Sequence, residues 1–347
     1  MNKLTILLRR EIWENKSSFI YLPIVVASLC AFFVISGIGA LQIGGDLVNI
    51  DADINYKSNQ ITETYNVDDT FDSLVGRGLQ DFSRQPEIAK RNALNGVYLA
   101  ISDPLILTLR LVIIFYLVMS LYQDRKDRSI LFWKSMPVSD FMTVLSKVIT
   151  ALIIVPAIYL ACCMALHLVL LLVSTLSALG YDVPIWSTLW APAGIITRWL
   201  EMASYLVIVG LWCLPFYAWL LVVSSRAKSV PLAWIIGLPL VLILLEVIFG
   251  TTGHVKDFIS EHISPLFMAK DLERGIGPIF DRIMNFELLI SIAIGFAFIA
   301  GAVFFRSKAD ELKPDEKNQR DKGSIFWSSV WAFGAVIRVH RQHGIPG

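Results

Sequence analysis

Charge is the first thing this sequence is short of. Asp, Glu, Lys and Arg make up 17% of the chain, where soluble domains carry about a quarter. The shortage is concentrated in six nearly uncharged blocks, near 19–43, 102–122, 142–175, 201–224, 231–249 and 286–305. Each is long enough to cross about 30 Å of hydrocarbon as a helix, which excludes a soluble globular domain. Cysteine is scarce as well. Cys30, Cys162, Cys163 and Cys213 all lie inside those blocks, so they offer no disulfide framework outside a membrane. Catalytic signatures are also missing. There is no GxxxxGK[ST], hence no loop to cradle a nucleotide phosphate and no expected ATP hydrolysis by this chain. There is no HExxH, and Glu261-His262 is followed by no second histidine at helical spacing, so no metal site is expected.

What remains is an all-α integral membrane protein with six transmembrane helices. The basic leader runs to Lys16, and the apolar block behind it is longer than a signal-peptide core, so it reads as a retained first span. Placing the N-terminus, 123–141, 225–230 and everything after 305 on one side puts eighteen Lys and Arg residues there and ten on the other. By the positive-inside rule the richer side is cytoplasmic, which puts both termini inside. A net charge of +1 gives no reason to expect a nucleic-acid partner.

The chain then divides into an interfacial helix over 1–18, a six-span domain over 19–305 and a cytoplasmic tail over 306–347. In the leader, Leu4, Leu7, Leu8 and Ile12 share one helical face, into which Glu11 and Asn15 intrude. Segments outside the membrane are expected at about 44–101, 176–200 and 250–285. Ser102-Asp103-Pro104 reads as the start of the second span. Pro156 predicts a tilt or kink in the third. Trp186, Trp190 and Trp199 place 176–200 in the outer interface as a re-entrant or surface-lying turn. Ala293, Ala297 and Gly301, four residues apart, predict a close helix contact in the sixth span. The tail turns aromatic over 324–341, too short for another crossing, and reads as a docking or amphipathic segment.

Charges inside the apolar blocks are costly and need a partner or water. Arg110, Glu201 and Glu246 all fall at outer-leaflet depth. An Arg110–Glu246 or Arg110–Glu201 pair would fix helix packing; the other reading gives Arg110 a part in substrate passage.

One hydrophilic interruption differs from the rest. Residues 123–141 read QDRKDRSILFWKSMPVSDF, with alternating charge over Asp124–Arg128 followed by Ile130, Phe132, Trp133, Met136 and Pro137. Ser129 can cap a short helix and Pro137 would stop it. Positive-inside charge accounts for Arg125, Lys126 and Arg128, but not for the aromatic and proline half.

This segment resembles the coupling loop of permease subunits of type-2 ATP-binding-cassette (ABC) exporters. The matching residues are Asp127-Arg128-Ser129-Ile130, Leu131-Phe132-Trp133, Met136-Pro137-Val138-Ser139 and Ser146-Lys147. The family's Glu-x-x-x-Gly-Thr is Asp-Arg-Lys-Asp-Arg-Ser here, and its Gly-Lys is Ser-Lys. The resemblance implies a permease in a bacterial cytoplasmic (inner) membrane, paired with a second copy or a related permease. Separate ABC ATPase subunits would bind ATP and Mg, with no cofactor in this chain. Those subunits would engage Arg125, Lys126, Asp127, Arg128, Ile130, Phe132, Trp133, Met136 and Pro137. Sparse charge in the spans favours an apolar or amphiphilic cargo: a drug, a lipid or a hydrophobic peptide. The rival reading is a secondary transporter or channel that needs no ATPase.

Overall fold

The computed structural model describes residues 3–44, 71–127, 138–227, 231–248 and 286–309, together with Ile130, Ser135 and six positions between 256 and 263. The described residues are helical, without strands. Five helices are long and apolar enough to cross a membrane: Ser17–Gly37, Glu87–Lys126, Asp140–Ala178, Trp186–Trp212 and Phe286–Ser307. This is the architecture of a multi-pass membrane protein.

Helix α1 (Lys3–Glu14) turns Leu7 and Glu11 inward and leaves Ile6 and Trp13 exposed. At Asn15 it runs into a wide, π-helical turn (Ser17–Tyr21) and then α2 (Leu22–Gly44). The wide turn changes which backbone groups pair. The Ser18 carbonyl accepts from the Tyr159 hydroxyl at 3.1 Å, and Phe19, fully buried, meets Tyr116 edge-on at 5.1 Å. Much of α2 up to Gly37 is uncovered: Phe32 is 64% and Phe33 70% exposed. So much exposed apolar surface fits a helix whose solvent is lipid.

After α3 (Phe71–Arg84) comes α4 (Glu87–Lys126), 40 residues long. At 1.5 Å per residue it spans about 60 Å, twice the hydrocarbon thickness. The expected helix start at Ser102-Asp103-Pro104 is therefore corrected, because α4 already begins at Glu87. Pro86 precedes it and Glu87 supplies the acid of its first turn, both favourable there. Ser102 does not cap forward. Its hydroxyl bonds back to the Tyr98 carbonyl at 2.8 Å and meets His167 Nε2 at 2.7 Å, while Pro104 sits inside the helix.

The next span is α5 (Asp140–Ile149), a π turn (Thr150–Ile154) and α6 (Val155–Ala178). Ser139 caps α5, its hydroxyl accepting from the Met142 amide at 3.2 Å. The irregularity expected at Pro156 takes the form of the wider turn just before it. There Val155 N–H reaches the Thr150 carbonyl five residues back, in place of the four-residue pattern that a proline disrupts.

The tryptophan segment folds back on α6 as a third π turn (Trp186–Trp190). The Trp186 and Trp190 rings stack at 6.4 Å, and Trp190 Nε1 donates to Thr175 Oγ1 at 3.1 Å. Gly194, at φ +51, then turns the chain into α7 (Ile195–Trp212), a conformation an L side chain resists. The fourth expected block proves to be two helices. Cys213 leaves the helical region and α8 (Leu214–Arg226) starts behind it with Pro215 in its first turn, where the missing amide does no harm.

Among the described residues two longer helices follow, α9 (Pro231–Ile248) and α10 (Phe286–Ser307), with helical positions between 256 and 263 lying between them. The α8–α10 pair is the most extensive helix contact described. Its seam corrects the expected small-residue stripe: Ala293 and Ala297 are exposed, and the packed face of α10 runs through Leu288, Ser291, Gly295, Ile299, Ala302 and Arg306. Gly295 permits this approach, since a Cβ there would lie 2.5 Å from Leu214 Cγ. The tail beyond 309, including 324–341, and the segments 45–70 and 264–285 lie outside the described residues.

Candidate functional site

Two groups of buried polar side chains stand out among the described residues. The first gathers where α4 ends and α5 begins. Glu11 of α1, 1% exposed, accepts from the Tyr116 hydroxyl at 2.7 Å and lies 3.2 and 3.5 Å from Lys147 Nζ. Arg10 pairs with the same carboxylate. Lys147, 2% exposed, is also 3.7 Å from Asp124. Asp124 in turn receives Arg306 of α10 at 3.0 Å, and Arg306 Nε reaches Asp140 at 3.1 Å.

Three cations and four carboxylates (Arg10, Lys147, Arg306; Glu11, Glu14, Asp124, Asp140) thus join α1, α4, α5 and α10 in one network. Such charges are tolerated in a dry interior only when each finds an opposite partner with good geometry. Burial pushes the Glu11 carboxyl up, but Lys147, Arg10 and the Tyr116 hydroxyl outweigh it and hold it below the ordinary glutamate range. Both roots of the loop, Asp124 and Asp140, are held by Arg306. Arg306 of α10 thus ties Asp124 to Asp140, and Lys147 links Asp124 to Glu11 of α1.

The loop residues expected to meet a partner take different places. Arg125 is buried and points inward, donating to the carbonyls of Ser224 at 3.0 Å and Ala227 at 2.5 Å. It satisfies carbonyls that the end of α8 would otherwise leave bare. Lys126 and Asp127 are exposed, and Ile130 is 1% exposed. Arg128, Phe132, Trp133, Met136 and Pro137 lie outside the described residues.

Glu11, Asp124, Asp140, Lys147 and Arg306 were not singled out as a network by sequence reasoning. The available signal was Glu11 on the otherwise apolar face of α1, four residues from Leu7. A carboxylate there must be buried with a partner or keep the helix from packing.

The second group lies deeper. Arg110, 7% exposed, donates from Nη2 to the Tyr205 hydroxyl at 2.9 Å. The expected pairing with Glu201 or Glu246 is corrected. Glu201 lies 3.9 Å from Arg198, one helical turn back, and Glu246 accepts from the Lys256 amide at 3.0 Å. Among the described residues Arg110 forms no ion pair. It lines a cavity of about 30 Å³ between α4, the Thr150–Ile154 turn, α6, α7 and α8, with Tyr205, Tyr217 and Pro156 among the other walls.

Elsewhere, Lys90 donates to the carbonyls of Ser83 and Ser187, fastening α3 and the tryptophan turn at the far end. Among the described residues no group of His, Cys, Asp and Glu side chains is arranged to hold a metal ion. No protein-family model, curated protein or solved structure matches the chain.

Proposed function

We propose that this chain is the membrane-spanning permease subunit of an ATP-driven exporter, powered by a separate ATPase that docks on the 123–141 loop between the second and third spans. One observation carries the reading: the loop enters and leaves the bundle through Asp124 and Asp140, both held by Arg306, with Lys147 and Glu11 extending the tie to α1. A loop that only set topology would need basic residues and no such anchorage. A loop through which force enters the membrane needs roots that several helices share. The exposed Lys126 and Asp127, and the Phe132-Trp133 and Met136-Pro137 pairs in the sequence, supply charge and apolar contact for a partner.

In this reading Pro231–Ile248 completes six spans. The network end faces the cytoplasm of a bacterium, and both termini lie on that side. A second copy or a related permease completes the path, and ATP and Mg are handled by the ATPase pair. The cargo is apolar or amphiphilic. This chain contributes no hydrolytic step: it converts closure of the ATPases into a change in how α1, α4, α5 and α10 meet.

The test uses Arg128→Glu and Trp133→Ala in the full chain. Both variants are expected to reach the membrane at normal levels and lose cargo export together with stimulation of the partner's ATP turnover. Variants that bind the ATPase and stimulate its turnover normally would refute the docking assignment.

A further inference from the structure

The Arg110 cavity is unexplained by force transfer from the loop. Arg110 lies 16 residues before Lys126, the last residue of α4, which puts it about 24 Å from that end and well inside the hydrocarbon depth. A cation at this depth is expensive unless something compensates it, and among the described residues its hydrogen bond to Tyr205 is not matched by any carboxylate. A guanidinium carries five N–H donors, so most of its capacity is open to a guest.

The surroundings describe that guest. Leu109, Ile113, Leu152, Leu206 and Val209 make the rest of the wall largely apolar. Ala151, Leu152 and Tyr217 also line a second space of about 10 Å³ whose remaining walls, including Leu117, Leu214 and Leu221, are apolar. A volume of about 30 Å³ holds roughly two water-sized groups, which matches the two anionic oxygens of a carboxylate or a phosphodiester. The wall is also built where the backbone can adjust: the Thr150–Ile154 turn supplies Ala151 and Leu152, Pro156 follows, and Gly210 faces Leu152, where a Cβ would come within 3.4 Å. Wide turns of this kind recur at functional sites.

We propose that Arg110 and Tyr205 form a seat for the anionic end of an amphiphile, whose apolar remainder lies against the neighbouring leucine-lined space. Arg110 meets the oxygens by charge and with its remaining N–H donors, and Tyr205, which accepts from Arg110 Nη2, holds the guanidinium in position. A hydrophilic anion such as inorganic phosphate is disfavoured, because the apolar walls would desolvate it without return. The proposal rests on the export reading for its purpose, since it makes an anionic amphiphile the cargo class. The binding itself does not need the ATPase.

The test is photo-crosslinking with a diazirine-bearing palmitate on the purified full-length chain in phosphatidylcholine nanodiscs, with labelled peptides mapped. Label is expected on the α4 peptide around 109–113 and the α7 peptide around 205–210. Free oleate should compete it away and methyl oleate should not. Competition by phosphatidylglycerol in place of oleate also supports the seat and assigns its occupant as a phospholipid headgroup. Arg110→Gln should lower labelling at least tenfold, Arg110→Lys should retain most of it, and Tyr205→Phe should lower it about threefold. Labelling that methyl oleate displaces equally, or that is absent from both peptides in the wild-type chain, overturns the proposal whatever the variants do. Labelling in a preparation that never binds an ATPase would leave the seat standing and remove the export reading. A partner ATPase together with no labelling would do the reverse.

Discussion

Replacing Lys147 by Met tests whether the network at the loop roots acts as one unit. The ammonium is 2% exposed and sits 3.2 Å from Glu11 and 3.7 Å from Asp124. Its removal strands neither carboxylate completely: Glu11 keeps Arg10 and the Tyr116 hydroxyl, and Asp124 keeps Arg306. Breaking a buried pair from one side costs about 3–5 kcal/mol. With those partners remaining, the lower end applies, about 3 kcal/mol, which is roughly 4 °C of thermal midpoint for a protein this large. Glu11→Gln keeps a group able to accept from Tyr116 but leaves Lys147 with Asp124 alone, at an expected cost of about 2 kcal/mol. The double variant removes both charges together and should cost about 2 kcal/mol less than the sum of the two. The assay is the temperature at which half of the detergent-solubilised protein remains monodisperse by size exclusion. Trypsin cleavage at Arg9 and Arg10 serves as a local probe of α1 release. Single-variant costs that add to within about 0.5 kcal/mol would refute the coupling between α1 and α5.

Three further outcomes follow from the same geometry. Because Glu11 titrates below the ordinary glutamate range, its stabilising contribution is complete above that range and is lost as pH falls through the lowered value. Melting measured from pH 7 downward should therefore be steeper on the acid side in the wild-type chain than in Glu11→Gln; identical acid profiles would contradict the assignment. Gly295→Ala gains up to about 1 kcal/mol of helix propensity, but drives a methyl to 2.5 Å from Leu214 Cγ, where overpacking costs about 1–3 kcal/mol. Net destabilisation is expected, relieved when Leu214→Ala is added, and a stabilised Gly295→Ala chain would show that the α8–α10 seam has slack. Arg125→Gln should cost about 1–3 kcal/mol by leaving the Ser224 and Ala227 carbonyls short of a donor. Hydrogen exchange at the end of α8 should speed up, and unchanged protection there would refute the capping role.

Much of the fold was legible in the sequence because lipid imposes long apolar helices, and hydropathy records them directly. What hydropathy cannot record is where helices stop being regular. The start of α4 was misplaced because Ser102-Asp103-Pro104 has the composition of a helix start, while the Ser102 hydroxyl is committed to the Tyr98 carbonyl one turn back and to His167 on α6. The break at Cys213 was hidden because the chain stays apolar through Pro215, so hydropathy runs on where the hydrogen-bond ladder does not. The stripe at 293, 297 and 301 has the spacing of a contact face, yet the buried face is the one bearing Gly295 and Arg306, which needs α8 and Asp124 to be explained.

The candidate site divides in the same way. Arg110 was legible as a charge where lipid tolerates few, but Tyr205, 95 residues away, is a contact that only the packing of α7 on α4 creates. The ion network was hidden for a related reason. Its members come from four separated helices, and each one read alone is an ordinary interfacial charge. Arg125 shows the converse: composition offered it to a partner, and packing spends it on α8.

The most direct test of the account is purification of the tagged chain from native membranes under mild detergent, followed by reconstitution and measurement of Mg-ATP hydrolysis and amphiphile export in the same vesicles. The account predicts that a subunit bearing a nucleotide-phosphate loop co-purifies in stoichiometric amount. Its hydrolysis and the export should both be lost in Trp133→Ala. A chain that purifies alone, with cargo flux that proceeds without ATP and is unchanged by Trp133→Ala, would contradict it.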